Sequence, residues 1–120
     1  MRDERTYQII GAAMEVHKQL GHGFSEHVYQ DALEIELFNR NIPYNRERQL
    51  KVCYKGVLLK HDFFADFVCY DNVIVECKAV SELDNLNRSQ ILNYMKVSGF
   101  AVGLLVNFGE KSLTYERFVM

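Results

Sequence analysis

The chain has 120 residues, of which 48% are hydrophobic and 25% charged, with a net charge of −2 and a pI near 6.1. This length fits one domain over residues 1–120, and the apolar content supplies a core, which excludes a disordered chain. The acidic balance argues mildly against nucleic acid as a partner, because phosphate-binding domains are usually basic. A bound divalent cation would offset clustered carboxylates and weaken that objection.

Cysteine use and hydropathy indicate a reducing compartment. Cys53, Cys69 and Cys77 show neither CxxC nor Cys/His spacing, which argues against a disulfide framework or a structural zinc site. No apolar run approaches the ~18–20 residues of a membrane helix, and the N-terminus has no apolar signal core. We therefore expect a cytoplasmic protein without a membrane partner.

The first forty residues predict two helices. The first spans residues 4–20, where apolar side chains recur at three- and four-residue spacing, and Gly21 breaks it. The second follows Ser25 as N-cap, with Phe24 and Tyr29 placed as a hydrophobic staple. The expected inner stripes are Tyr7, Ile10, Met14 and His17, and Val28, Ala32, Leu33 and Leu37. On such a stripe, His17 is expected to be a hydrogen-bonded core residue.

The remaining chain predicts strands around a third helix. Period-2 alternation and turn residues such as Lys55-Gly56 mark the strands, and one continuous apolar run is typical of a central strand buried on both faces. The predicted elements are strands at 50–54, 57–61, 63–69 and 73–79, a helix at 82–97, and strands at 101–107 and 112–118. The order predicts an α/β fold, a mixed central sheet with flanking helices.

Three charged residues stand in very apolar strands: Asp66, Glu76 and Lys78. Unpaired charges in such strands would be costly. Glu76 and Lys78 are two residues apart and share a face of their strand. A three-residue loop over 70–72 would pair residue 69 with 73 and therefore Asp66 with Glu76, whereas a two-residue loop would turn Asp66 to the wrong face.

Two interpretations of this cluster remain open. In one, adjacent carboxylates share a hard cation, Mg²⁺ or Mn²⁺, which prefers oxygen ligands and can activate water and polarise a phosphate. Lys78 would then orient the water or stabilise developing negative charge. In the other, the three residues form a buried salt-bridge triad without a ligand. The spacing Asp-x(9)-Glu-x-Lys alone does not decide between them.

The motifs together resemble a known family. Asp66 followed by Glu76-Cys77-Lys78 at a hairpin resembles the motif of the PD-(D/E)xK nuclease superfamily, with Ala65 where the motif name has proline. The segment Gly23–Tyr29 reads GxxExxY and resembles the small bacterial and archaeal GxxExxY proteins of that superfamily. This resemblance implies a restriction-endonuclease-like αβββαβ core and a divalent-metal nuclease activity.

The resemblance also implies roles for individual residues. Asp66, Glu76 and the backbone carbonyl of Cys77 would hold Mg²⁺ or Mn²⁺, while Lys78 and Glu26 would join the catalytic group, Glu26 as a further ligand or as a base. In the third helix, Gln90 and Tyr94 are one turn apart and match the QxxxY signature of RecB-like nucleases, which borders the substrate. Arg88 is a further phosphate-binding candidate, with a solvated surface arginine as the alternative.

The sequence therefore predicts a metal-dependent nuclease, of endo- or exonuclease type, that hydrolyses phosphodiester bonds in DNA, with RNA as the other substrate. Two alternatives stay open. One is a non-catalytic nucleic-acid-binding or assembly module on a nuclease scaffold, and the other is a globular protein whose triad is structural. Because the domain is short, a homodimer would enlarge its substrate surface.

Overall fold

The computed structural model describes residues 2–120. The elements in chain order are α1 (Glu4–Leu20), α2 (Glu26–Asn39), β1 (Tyr44–Leu50), β2 (Cys53–Tyr54), β3 (Val57–Leu58), β4 (Phe63–Cys69), β5 (Val73–Lys78), α3 (Asn85–Ser98), β6 (Val102–Asn107) and β7 (Thr114–Val119). The α/β order expected from the sequence is confirmed.

Five strands form one mixed sheet in the order β1-β4-β5-β6-β7. Strands β5 and β6 are parallel, joined by a crossover through α3, and all other neighbours are antiparallel. The central strand β6 is buried along its whole length, as the apolar run predicted. Strand β5 is equally apolar up to its last residues, so the polar end of β5 lies at one end of the sheet.

Helices α1 and α2 cover one face of the sheet. The backbone N–H groups of Arg5 and Thr6 donate to the side chain of Asp3, which caps α1. The predicted staple is confirmed, since the rings of Phe24 and Tyr29 lie edge to face with centroids 6.1 Å apart. His17 is confirmed as a core residue, with its Nε2 atom 2.8 Å from the carbonyl oxygen of Glu110.

The expected inner stripes are only partly right. Tyr7 and Met14 are each 50% exposed, whereas Ala12 and Ala13 are fully buried. Small residues let α1 approach its neighbours closely, and a pattern read from large apolar residues misses such a stripe. In α2 the buried residues are Tyr29, Gln30, Leu33 and Leu37, so Val28 was wrongly placed on the inner face.

The hairpin predicted around Lys55-Gly56 is confirmed, but its strands are shorter than the predicted ranges 50–54 and 57–61. The edge strand β1 spans residues 44–50, which alternate between half-buried and exposed positions and were not predicted as a strand. Residues 53–58 form only a separate two-stranded ribbon, in which Cys53 pairs with Leu58 and Tyr54 with Val57. Tertiary pairing with β4 stabilises a polar edge strand that periodicity alone does not reveal.

Helix α3 packs on the other face, where Ile74, Leu105, Ile91 and Met95 belong to a second hydrophobic cluster. The helix begins with a capping box between Asp84 and Asn87 and ends at Gly99 in the left-handed conformation. None of the helices between residues 2 and 120 is both long and apolar enough to cross a membrane.

Candidate active site

The β4–β5 hairpin opens into the site. Phe67 pairs with Val75 and Cys69 with Val73 across the 70–72 loop, so the predicted three-residue loop is confirmed. Beyond Phe67, hydrogen bonds from backbone N–H groups to side-chain carboxylates take the place of backbone pairing between β4 and β5. The N–H of Asp66 donates to Glu76 Oε2 at 2.7 Å, and the N–H of Cys77 donates to Asp66 Oδ2 at 2.8 Å. The two acidic side chains are therefore brought together, as the sequence predicted.

Strand β4 is distorted at Asp66. Its pairing with β1 skips one position, because Arg46 pairs with Phe67 and Arg48 with Ala65 while Glu47 and Asp66 are unpaired. Glu47 has a φ of 53°, a left-handed conformation that a non-glycine residue rarely adopts. The N–H of Asp66 donates to the Glu76 carboxylate, so the break in the β1–β4 pairing coincides with the contact between the two acidic residues.

Burial makes both carboxyl groups hard to ionise. Glu76 is 3% exposed, and desolvation, with the charge of Asp66 next, raises the pKa of Glu76 to about 8. Desolvation also raises the pKa of Asp66, although the Cys77 N–H and Lys78 oppose that shift. Two adjacent carboxyl groups with raised pKa values, one buried and one half-buried, are characteristic of functional sites.

Lys78 is held away from both carboxylates. Its Nζ atom donates to Gln90 Oε1 at 2.8 Å, and Gln90 Nε2 donates to the hydroxyl of Tyr94 at 3.2 Å. The predicted one-turn pair of α3 therefore forms a hydrogen-bonded chain with Lys78. No residue between 2 and 120 forms an ion pair with Lys78. The salt-bridge triad considered as an alternative is thus not formed.

The donor set fits a hard divalent cation. Glu76 and Asp66 lack an ion-pair partner among the residues that the structure describes, and an added cation would relieve their mutual repulsion. The Cys77 carbonyl points to the same side as its N–H, where the β4–β5 ladder has ended. Within the described chain no cluster of three or more His, Cys, Asp or Glu side chains is poised for a metal. Two carboxylates supplemented by a carbonyl and water still suit Mg²⁺.

Helix α2 brings Glu26 to the same end of the sheet. Burial raises the pKa of Glu26, Lys78 opposes the shift and Asp66 adds to it. Its carboxyl group is therefore within electrostatic reach of both side chains. Glu26 stands one residue after the N-cap Ser25, whose side chain makes no capping hydrogen bond. The helix terminus further favours a carboxylate there.

The loop before α2 is pinned by Tyr29. Its hydroxyl donates to the Gly21 carbonyl at 2.6 Å and accepts from the Phe24 N–H at 3.2 Å. The Tyr29 ring stacks on Phe108, with centroids 4.7 Å apart. Gly23 has a φ of 110°, which favours glycine. The glycine and the tyrosine of the heptad thus fix the helix start that carries Glu26.

Gln30 was not predicted from the sequence to lie at the site. It lies one turn after Glu26 on α2 and is 5% exposed. Its carboxamide is close enough to Asp66 to lower the pKa of that carboxyl group, while its Oε1 accepts from Arg46 at 3.4 Å. The i,i+4 spacing from Glu26 was the available signal. Its burial, which is unusual for a glutamine side chain, could be seen only in the tertiary structure.

A cavity of about 510 Å³ opens beside Lys78 on the α3 face. It is lined by Phe63, Lys78, Leu86, Asn87, Gln90, Asn93, Tyr94 and Val97. Arg88 is not among these residues. Its guanidinium donates to Glu116 at 2.8 to 3.1 Å and to Asn85 at 3.0 Å. The structure therefore joins Gln90 and Tyr94 to Lys78 but places Arg88 in a surface ion pair.

Comparisons with known proteins concern the family and the fold. A family model described as the PD-(D/E)XK nuclease superfamily matches residues 3–118. None of the curated proteins matches the sequence significantly. The crystal structure of SSO0001 superimposes with a TM-score of 0.59 at 14% identity, covering 99% of this chain and 79% of that one. An alkaline exonuclease, LHK-Exo from Laribacter hongkongensis, gives 0.58 at 9% identity, with 98% and 72% covered. At these identities the two structures establish the shared fold.

Proposed function

Because the chain belongs to the PD-(D/E)XK nuclease superfamily, we propose that it hydrolyses phosphodiester bonds in nucleic acid with the help of a divalent cation. DNA is the proposed substrate and RNA the alternative. The single observation that carries the proposal is the carboxylate pair at the open end of the β4–β5 hairpin, with Glu76 buried, Asp66 half-buried and neither in an ion pair with a described residue.

Asp66, Glu76 and the Cys77 carbonyl would hold Mg²⁺ or Mn²⁺, with water molecules as the remaining ligands. When bound, such an ion polarises a phosphate oxygen and favours deprotonation of water. The role of Glu76 as a ligand has the strongest support. Desolvation and the charge of Asp66 raise its pKa to about 8, so a nearby positive charge would stabilise its ionised form. When a cation binds, the carboxyl groups lose their protons, and the charge of the cation then compensates for the burial of the carboxylates.

Lys78 and Glu26 act on the reacting groups. Gln90 holds the Lys78 ammonium at 2.8 Å, so that it can orient a water molecule and stabilise negative charge that develops on the phosphate. Glu26 approaches from α2 and can accept a proton from that water. Burial raises the pKa of Glu26 towards neutral pH, and a general base works best when its pKa lies near the operating pH.

The substrate would lie along the cavity beside Lys78. Gln90 and Tyr94 line it together with Phe63. The ring centroids of Phe63 and Tyr94 are 5.6 Å apart, and the ring planes make an angle of 47°. Aromatic faces and carboxamides beside a cationic group suit the sugar and base edges of a nucleotide. Arg88 is left out of this proposal, because Glu116 occupies its donors.

We assign the chain to the GxxExxY group within the superfamily. The heptad supports this, since Gly23 takes a left-handed φ, Glu26 reaches the site and Tyr29 pins the intervening loop. Each motif residue thus has a physical task in placing one acidic group.

The experiment is metal-dependent cleavage by the purified protein. Single-stranded, duplex and branched DNA and RNA are incubated with Mg²⁺, with Mn²⁺ or with EDTA. We expect cleavage that requires the metal and is lost in Asp66→Ala and Lys78→Ala, with circular dichroism reporting that both variants fold. The control variant is Lys111→Ala, an exposed lysine that does not line the cavity. Absence of cleavage on every substrate would refute the proposal. Nucleic-acid binding without cleavage would favour the non-catalytic module instead.

A further inference from the structure

The ribbon formed by β2 and β3 is an exposed apolar element. Tyr54 is 62% exposed, Val57 65% and Leu58 51%. A hydrogen bond from the Leu59 N–H to the Val52 carbonyl, at 2.8 Å, extends the ribbon pairing by one step. A two-stranded ribbon is marginal without packing on one face, and exposed apolar side chains in a contiguous patch mark interaction sites.

The same segment concentrates positive charge. Residues 48–61 contain four lysines and arginines and no aspartate or glutamate. The other 106 residues hold ten basic and sixteen acidic residues, so the remainder of the chain is clearly acidic. Lys51, Lys55 and Lys60 are exposed, and none forms an ion pair within residues 2–120. Lys55 lies 5.6 Å from the centre of the Tyr54 ring.

The ribbon continues directly from the strands that build the site. Leu50 of β1 pairs with Phe63 of β4 at its base, and Phe63 lines the cavity beside Lys78. Asp66 is three residues from Phe63, or ~10 Å along the strand. The turn at Lys55-Gly56 is seven residues away in the other direction, so the ribbon can reach ~20 Å from the cavity, about the rise of six base pairs.

We propose that residues 51–61 form a nucleic-acid-binding arm that contacts the substrate backbone beyond the cavity. The proposal rests on the proposed function for the nature of the substrate. The lysines would contact successive phosphates, and Tyr54 would stack on a base or a sugar. Basic side chains interleaved with an exposed aromatic ring are the means by which proteins track single strands and groove edges.

A second copy of this chain is the competing occupant. In a symmetric dimer the same patch meets itself, and pairing two such ribbons would bring their lysines together without an acidic residue in the patch to compensate. Nucleic acid supplies the opposite charge along the whole length of the arm. Charge complementarity therefore favours nucleic acid.

Binding in EDTA tests the arm separately from catalysis. The variant is Lys51→Gln/Lys55→Gln/Lys60→Gln, and the matched control is Lys18→Gln/Lys96→Gln/Lys111→Gln, which makes the same charge change at exposed positions elsewhere. Fluorescence anisotropy with a labelled 20-nucleotide single strand and its duplex is measured over a salt series. The arm variant should raise Kd about tenfold or more and reduce the slope of log Kd against log salt by about two to three, because each phosphate contact contributes about 0.7 to 0.9. The control should match the wild type.

The outcomes separate the arm from the nuclease. Weakened binding by the arm variant alone supports the arm, even if no form of the protein cleaves. Equal binding by all three forms, or no binding by the wild type, overturns it, even if cleavage is observed. A dimer in sedimentation that only the arm variant breaks, with nucleic-acid binding unchanged, assigns the surface to a second copy and likewise overturns the arm. A thermal melt confirms that each variant is folded.

Discussion

The two ends of the β4–β5 hairpin differ in what holds the strands together. At the closed end, Val73 and Val75 pair with Cys69 and Phe67 through the backbone and are fully buried. At the open end, Asp66 and Glu76 replace that ladder with hydrogen bonds from backbone N–H groups to their carboxylates. One end gains stability from apolar burial, while the other buries charges at a cost. The difference supports the proposal that the open end is the reacting site.

The largest effects are expected from one variant at the site and one in the apolar part of the same strand. The first should lose activity and the second stability. Glu76→Gln should lower the cleavage rate about 10²- to 10⁴-fold, because the neutral amide is a poor cation ligand. Its stability should not fall. Ile74→Ala, fully buried on the same strand, should cost about 2–5 kcal/mol of unfolding free energy. Its activity per folded molecule should stay near the wild type. Urea denaturation and initial rates measure both. Equal losses of both properties in the two variants would remove the distinction.

Gln90 acts as a positioning residue at the open end, where it holds the Lys78 ammonium. Gln90→Ala frees the Lys78 ammonium, whose 2.8 Å hydrogen bond is then lost. We expect kcat to fall about tenfold, the effect of about 1.4 kcal/mol of lost orientation, with a smaller change in KM. The pH profile of kcat should also move, since the environment of Lys78 changes. Gln90→Glu, which keeps an acceptor oxygen, should recover more activity than Gln90→Ala. Identical profiles for all forms would contradict the positioning role.

The raised pKa values at the open end predict how stability depends on pH. The pKa of Glu76 rises from 4.5 to about 8 on folding, through desolvation and then Asp66. In EDTA the folded protein therefore holds a proton that the unfolded chain releases between those values. Stability must fall as pH rises through this window. The melting temperature of the wild type relative to Glu76→Gln should drop by about 4 °C or more between pH 5 and 8, or about 1 kcal/mol.

Added Mg²⁺ should reverse that loss, most strongly at pH 8, because the ion binds the deprotonated carboxylates of the folded state. The Glu76→Gln variant serves as the control and should respond little. Constant wild-type stability relative to Glu76→Gln from pH 5 to 8 would show that Glu76 is not protonated at the open end.

The smallest effect belongs to Tyr94. Tyr94→Phe removes the hydroxyl that accepts from Gln90 at 3.2 Å but keeps the ring of the cavity wall. One such hydrogen bond contributes about 1 kcal/mol, so the cleavage rate should fall less than about fivefold. Steady-state kinetics measures this. A loss as large as that of Lys78→Ala would mean that the hydroxyl acts on the substrate directly.

Local sequence patterns were enough to predict the order of the main elements, the three-residue loop and the contact between Asp66 and Glu76. These follow from local rules, since period-2 alternation and loop length fix which residues oppose one another across a hairpin. The QxxxY pair on α3 followed equally from helical spacing. The sequence also indicated the superfamily, because the residues of its motif, Asp66 and Glu76-Cys77-Lys78, lie close together in the chain.

Other features of the fold and the site depend on contacts between segments that are far apart in the sequence. Strand β1 is polar and exists through its pairing with β4, and the Asp66 distortion depends on Glu47 of that strand. Gln30 and Glu26 reach the site from a helix packed across the sheet, and Lys78 bonds Gln90 rather than a carboxylate. Each of these facts joins segments distant in sequence. Their energies arise from packing and desolvation, which no local pattern records.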